Sequence, residues 1–228
     1  IMFRARTMLV FAVVSMTSFL PYNLFMNAHE YFYYKLRNAS DPEVRASENL
    51  TNDLSVSFGK QSRLDAGIEP TTELQLSYEG WFTVTSGVAC ILGSLLNTVA
   101  TKKLSNSCRV LSGHVIVLLS LLPTLAYTCI DTDEDQSRFF WMSMFLSSVS
   151  CFGSMGLIGA GITGLAATFH EHHMQLVLIG QALAGICSSL LSIICQAATD
   201  DDILNGQIYF GAAFIWTIVS ILCYFSLV

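Results

Sequence analysis

Phe19-Leu20-Pro21-Tyr22-Asn23-Leu24-Phe25-Met26-Asn27-Ala28 sets a proline and two asparagines inside an apolar run long enough to cross a bilayer. Hydrocarbon offers such groups no water, so amide side chains at that depth are costly and lean towards function. Pro21 removes one helix hydrogen bond and leaves the Thr17 carbonyl without its usual donor. Breaks of this kind persist in membranes where the freed groups line a cavity or meet another helix. The stretch is therefore expected to be a kinked first transmembrane helix that borders a substrate pathway. The plainer alternative is a packing kink whose asparagines bond to neighbouring helices.

Outward from this run the chain keeps the same character. Of its 228 residues 53% are hydrophobic and only 12% charged, with a mean hydropathy of +0.55. Soluble domains carry about 25% charged residues, so the composition is that of an all-α polytopic membrane protein. The net charge of −6 comes from acids placed between apolar runs, and nothing is basic enough to bind nucleic acid. The seven cysteines lie almost entirely inside apolar runs, are odd in number and show no C-x-x-C spacing. That excludes a disulfide framework or zinc ribbon and leaves them as small packing residues. Position 1 is Ile, and Ser226-Leu227-Val228 still lies in an apolar run. The expectation is a piece, or a processed form, of a longer protein, without a cleavable signal peptide.

A crossing needs about 20 apolar residues, and runs of that length occur six times. The expected spans are residues 7–28, 81–101, 110–130, 139–164, 174–199 and 203–228. Lys102, Lys103 and Arg109 fill the short link between spans two and three, whereas Asp131, Asp133, Glu134 and Asp135 crowd the next link. The positive-inside rule then places the amino terminus and the 102–109 link in the cytoplasm. The polar loop 35–79 falls outside. It holds Asn38-Ala39-Ser40 and Asn49-Leu50-Thr51, two N-glycosylation sequons, so Asn38 and Asn49 are expected to carry glycan.

On the first span Phe19, Asn23 and Met26 share one helix face, with Tyr22 adjoining. A ring, an amide and a thioether together suit a flat polar heterocycle: the ring stacks and the amide both donates and accepts. A packing stripe has the same periodicity and stays open as an alternative. Small residues recur every four positions at Gly156, Ala160 and Gly164, and again at Gly180, Ala184 and Ser188, as in closely packed membrane helices. His170-Glu171-His172-His173 lacks the helical register of a zinc site and reads as a solvated link. Asp131 opens an EF-hand-like run, but Gln136 stands where glycine is required, which excludes calcium. No nucleophile elbow, P-loop or dinucleotide fingerprint occurs, so the chain is read as neither an enzyme nor a cofactor or metal protein.

The run from Leu20 to Ala28, followed by Tyr31-Phe32, resembles the first-span signature of equilibrative nucleoside transporters, L-P-W-N-x-F-x-T-A-x-x-Y-F. Further likeness lies in Leu96-Asn97, Arg109-Val110-Leu111, Gly164-Leu165-Ala166, Gly180-Gln181-Ala182-Leu183-Ala184-Gly185 and Tyr209-Phe210. The resemblance implies an eleven-span, major-facilitator-like fold with a glycosylated first loop, of which this chain is the amino-terminal six-span half. It implies that substrate selection involves Phe19, Tyr22 and Met26 on span one, Gly87 and Cys90 on span two, and the position of Gly159 on span four; Asn23 joins the candidate substrate residues as their neighbour on the first-span face, and Gly156, Gly164, Gly180 and Gly185 are read as helix-packing residues. Tyr22 stands where the family has tryptophan, Asn27 where it has threonine, and Gly159 where it has glutamine. The function implied is facilitative transport of nucleosides, and of nucleobases as a second class, by alternating access against a missing carboxy-terminal half. The expected location is the plasma membrane, with endosomal or lysosomal membrane as the alternative. A non-transporting scaffold or receptor-like protein that keeps the fold is the rival reading.

Overall fold

The computed structural model describes residues 2–37, 72–132, 135–169, 171–199 and 201–226. They form α1 (Met2–Asn27), α2 (His29–Lys35), α3 (Glu73–Ala100), α4 (Asn106–Thr128), α5 (Gln136–Cys151), a π-helical segment (Phe152–Gly159), α6 (Ala160–Ala166), α7 (Glu171–Ala198) and α8 (Asp202–Phe225). Among the described residues six helical stretches are long and apolar enough to cross a membrane, the fourth running from Gln136 to Ala166 through the π segment. The protein is a multi-pass membrane protein, and its described residues form helices joined by short links.

Local chemistry sets the helix starts. Thr72 caps α3 in a capping box: its hydroxyl accepts from the Gln75 amide and its own amide donates to Gln75 Oε1 at 3.1 Å. This starts α3 at Glu73, about two turns before the apolar run begins, so residues 73–79 are helix where the sequence reading expected loop. Ser105 caps α4, and Asp201 accepts from Ile203 and Leu204 at the start of α8. Pro21 and Pro123 both sit inside continuous helices. The sequons at Asn38 and Asn49 lie outside the described residues.

Spans one and four form the interior. Buried residues make up 61% and 67% of their apolar stretches, against 22% to 39% for the other four. The π segment is the hub of that interior. A Cβ added to Gly156 would lie 2.7 Å from Gly93 Cα of α3, and one on Gly153 would lie 2.9 Å from the Gly113 carbonyl of α4. One on Gly159 would lie 3.2 Å from Ser18 Cβ of α1. Three glycines at i, i+3 and i+6 thus bring three different helices onto one backbone, the close approach that small residues permit. Helix α7 lies along α1 in the same way, because a Cβ on Gly180 would collide with the Ala12 carbonyl. Ala184 and Ser188 are buried along the same face. Gly164 is exposed with nothing within 4 Å of its Cβ position, so the described bundle gives it no packing partner. Gly185 meets only Asn23 Nδ2, at 3.9 Å.

At the end of the bundle that carries α2, rings replace glycines. Phe25, Tyr31, Phe32, Tyr78, Phe82, Phe139, Phe140 and Phe210 are buried together. Helix α2 is tied down from several sides. Gln75 Nε2 donates to the Tyr33 carbonyl at 2.7 Å, Thr72 Oγ1 to Leu36 O at 2.9 Å and Lys35 Nζ to Ile130 O at 2.7 Å. Gln136 Nε2 donates to the Arg37 carbonyl. Arg109 marks the opposite end. Grouped by charge with the short link between spans two and three, it is buried and donates to Asn97 Oδ1 at 2.9 Å, Thr101 Oγ1 at 2.8 Å and Asn106 Oδ1 at 2.8 Å. It pins the turn between α3 and α4.

Candidate functional site

Helix α1 has one open face. Phe11, Val14, Ser15, Ser18, Leu24 and Phe25 are fully buried, while Phe19, Tyr22 and Asn23 are half-buried and Met26 is exposed. The spacing 19, 22, 23, 26 is that of neighbours on a single helix face. The four first-span residues marked in the sequence therefore share one strip.

Different neighbours flank the strip. On one side Tyr22 stacks on Phe82 of α3, with ring centroids 5.6 Å apart and planes 27° apart. On the other, Asn23 approaches α7 at Gly185. The two asparagines divide their work. Asn27 Nδ2 donates to the Ser188 carbonyl at 2.9 Å, which ties α1 to α7. No group among the described residues hydrogen-bonds the Asn23 side chain. Asn23 thus keeps its donors and its acceptor for something else, next to a ring with a half-open surface.

The remaining marked residues fall elsewhere. Gly87 is exposed on α3, and a Cβ there would meet nothing within 4 Å. Cys90 is half-buried, with its carbonyl 3.3 Å from the Cβ position of Gly156. Gly159 is buried against Ser18 and does not reach the open strip. Phe82 was missed: it is 1% exposed and is the only ring stacked on Tyr22 among the described residues. Its sole sequence signal is an aromatic residue in an apolar run.

Charge stays away from the strip. Tyr33 on α2 donates to Glu79 Oε1 at 3.0 Å, and burial, followed by the Glu79 carboxylate, raises the phenol above its usual range. Among the described residues no cluster of three histidine, cysteine or acidic side chains is placed to hold a metal. His173, from the His-rich link, is buried edge-on against Phe11 at 5.2 Å. The strip offers a ring, an amide and a thioether to a small neutral ligand.

Among the described residues, six helices long and apolar enough to cross a membrane, the glycine-packed fourth among them, and a half-open polar strip on the first make a multi-pass membrane bundle. Residues 143–228 match the family described as nucleoside transporter. The chain is 26% identical over 226 residues to equilibrative nucleoside transporter 1 of Rattus norvegicus, covering 96% of this chain and 46% of that protein. Against equilibrative nucleoside transporter 2 of Homo sapiens it is 26% identical over 219 residues, covering 95% and 43%. Equilibrative nucleoside transporter 3 of Rattus norvegicus is 28% identical over 200 residues, covering 85% and 36%. The chain is thus similar over most of its length to equilibrative nucleoside transporters, and it spans less than half the length of these curated relatives.

Proposed function

We propose that this bundle is the amino-terminal half of a facilitative carrier for nucleosides, with nucleobases as a second substrate class. The observation that carries the reading is the strip on α1, where the unsatisfied Asn23 amide lies beside the half-open Tyr22 ring. A nucleobase is flat and bears donors and acceptors on its edge, which matches both groups. Phe19 and Met26 complete the wall, and Gly87 and Cys90 on α3 belong to its neighbourhood. Substrate would pass by alternating access, as a second bundle rocks against this one and the substrate gradient supplies the drive. The relatives' greater length supports that second bundle. The amino terminus faces the cytoplasm, Asn38 and Asn49 carry glycan outside, and the plasma membrane is the site of action. Asn38→Gln with Asn49→Gln should abolish a glycosidase-sensitive gel shift, and a cysteine label on the loop that holds them, reacting only from the cytoplasmic side, would overturn the orientation.

The test is uptake of labelled adenosine and uridine by the full-length protein in vesicles, beside residues 1–228 alone. Saturable uptake is expected of the former and none of the latter. Base stacking on a ring contributes about 1–3 kcal/mol, so Tyr22→Ala should weaken apparent affinity by about 5- to 150-fold, with surface expression measured alongside. Robust competable uptake by residues 1–228 alone sinks the half-bundle reading. A surface-expressed full-length protein that moves no nucleoside or nucleobase favours a scaffold.

A further inference from the structure

Tyr22 is the last ring of a ladder. Phe82 stacks on Tyr78 at 6.1 Å and 24°, and Tyr78 stacks on Phe32 at 4.6 Å and 24°. Phe25 leans on Phe82 at 6.2 Å and 30°. Phe32, Tyr78 and Phe82 are buried, and Tyr22 alone is half-open. The ladder starts on α2, which hydrogen bonds fix in place, and ends on the strip that holds Asn23 and Met26. Phe82 and Tyr78 are four residues apart on α3, so one helix face holds both inner rings.

This arrangement has a consequence for recognition. One face of the Tyr22 ring is covered by Phe82, so a base can stack only on the other. The covered face also sets the plane of the ring, because stacked pairs keep an offset, near-parallel geometry. A ring already held in its binding orientation loses less freedom when a ligand arrives.

We propose that Phe82 is a positioning residue for substrate: it fixes the plane in which Tyr22 meets the base. The inference rests on the base-site reading of the α1 strip and adds to it a residue that the ligand does not touch. Phe82 would then govern affinity for the base through Tyr22, and its effect would vanish where Tyr22 has no ring.

A double-mutant cycle in the full-length protein tests this. The probes are labelled adenosine and uridine, and each variant is measured for KM, maximal rate per surface copy and thermal stability in detergent. Phe82→Leu should raise KM by about two- to tenfold, the cost of ordering a freed side chain, with little change in maximal rate per copy. Phe82→Tyr retains the ring and should restore most of the affinity. In a Tyr22→Leu background, Phe82→Leu should leave KM unchanged, although a packing defect would still lower thermal stability. An equal KM change in both backgrounds overturns the proposal, as does a Phe82→Leu variant of wild-type KM in the presence of Tyr22. Should Phe82→Leu fail to reach the surface, Phe82→Met and Tyr78→Leu carry the same cycle. If Tyr22→Leu leaves every KM at its wild-type value, the base-site reading itself fails. Should the cycle prove additive while Tyr22→Leu weakens binding, only the role of Phe82 fails.

Discussion

The two ends of the α1 strip meet opposite kinds of packing. Beyond Tyr22, towards α2, the bundle is filled with rings: Phe25 lies 4.9 Å from Phe210, and Tyr31 lies 5.8 Å from it. Short of Phe19, glycine seams join the helices: Gly156 lies on Gly93, Gly153 on Gly113, Gly159 on Ser18 and Gly180 on Ala12. Interdigitated rings bury much area and resist sliding, because each ring sits in a socket made by others. Backbone-on-backbone seams lack such sockets, and helices in contact through them gain mainly close van der Waals approach. The difference assigns rigidity to the α2 end and smooth contact to the middle, and the strip lies where the two meet. The carrier half proposed above would use both, one to hold a site in shape and the other to let helices shift. Substitutions at three places probe this contrast.

The largest effect is expected at the Gly93–Gly156 seam. A Cβ on Gly156 would lie 2.7 Å from Gly93 Cα and 3.0 Å from Gly93 C, which are backbone atoms that no rotamer change can move aside. Overpacking of this kind costs about 1–3 kcal/mol. Gly156→Ala should lose that much in a reversible unfolding measurement in detergent, and Gly156→Leu should fail to accumulate as folded protein. A wild-type midpoint for Gly156→Ala would show that the middle is loosely packed and that the contrast is wrong.

The same seam shows what the sequence could reveal. Hydropathy locates six spans because a bilayer imposes length and apolarity on each helix independently. The strip of Phe19, Tyr22, Asn23 and Met26 was readable for a similar reason, as helical periodicity alone puts those residues together. The π segment was not readable, since its Phe152–Gly159 run is as compatible with a regular helix by composition. Gly156 and Gly164 have the same four-residue spacing, yet only Gly156 meets a neighbour. Spacing states which residues share a face and not which face is covered. The start of α3 was missed because Thr72 and Gln75 build a helix from polar residues ahead of the apolar run. The Tyr22–Phe82 stack joins residues 60 positions apart, as 82 − 22, and no local signal foretells it.

A second probe lies beside the glycine seam at Gly113, where α4 meets α8. His114 is fully buried. Its Nδ1 lies 2.8 Å from the Val110 carbonyl, which can only accept, so Nδ1 carries the proton in the neutral ring. Its Nε2, 2.9 Å from Ser220 Oγ, is then the acceptor and Ser220 the donor. Interhelical hydrogen bonds in membranes couple by about 0.6 kcal/mol on average and about 1.7 at most. His114→Leu and Ser220→Ala should each destabilise the bundle, and the double variant should cost less than their sum by an amount in that range. Strict additivity in the same unfolding assay would mean that the contact contributes packing alone.

The smallest effect, and the sharpest use of the contrast, is expected at Gly164. Its Cβ position has nothing within 4 Å and it is exposed on α6, so the described bundle requires no glycine there. Alanine removes backbone freedom from the unfolded chain and is compatible with a helical φ, a gain of about 0.4–1 kcal/mol where space is open. Gly164→Ala in residues 1–228 should therefore unfold at an equal or slightly higher midpoint, in contrast to Gly156→Ala one seam away. The full-length protein gives the informative comparison. If Gly164 belongs to a face that a second bundle approaches closely, the added methyl will be neutral in residues 1–228 and will lower uptake or stability in the whole protein. If it is neutral in both, the four-residue pattern on the fourth span ends at Gly156 and Ala160, and the glycine-packed middle stops short of the chain's α6 end.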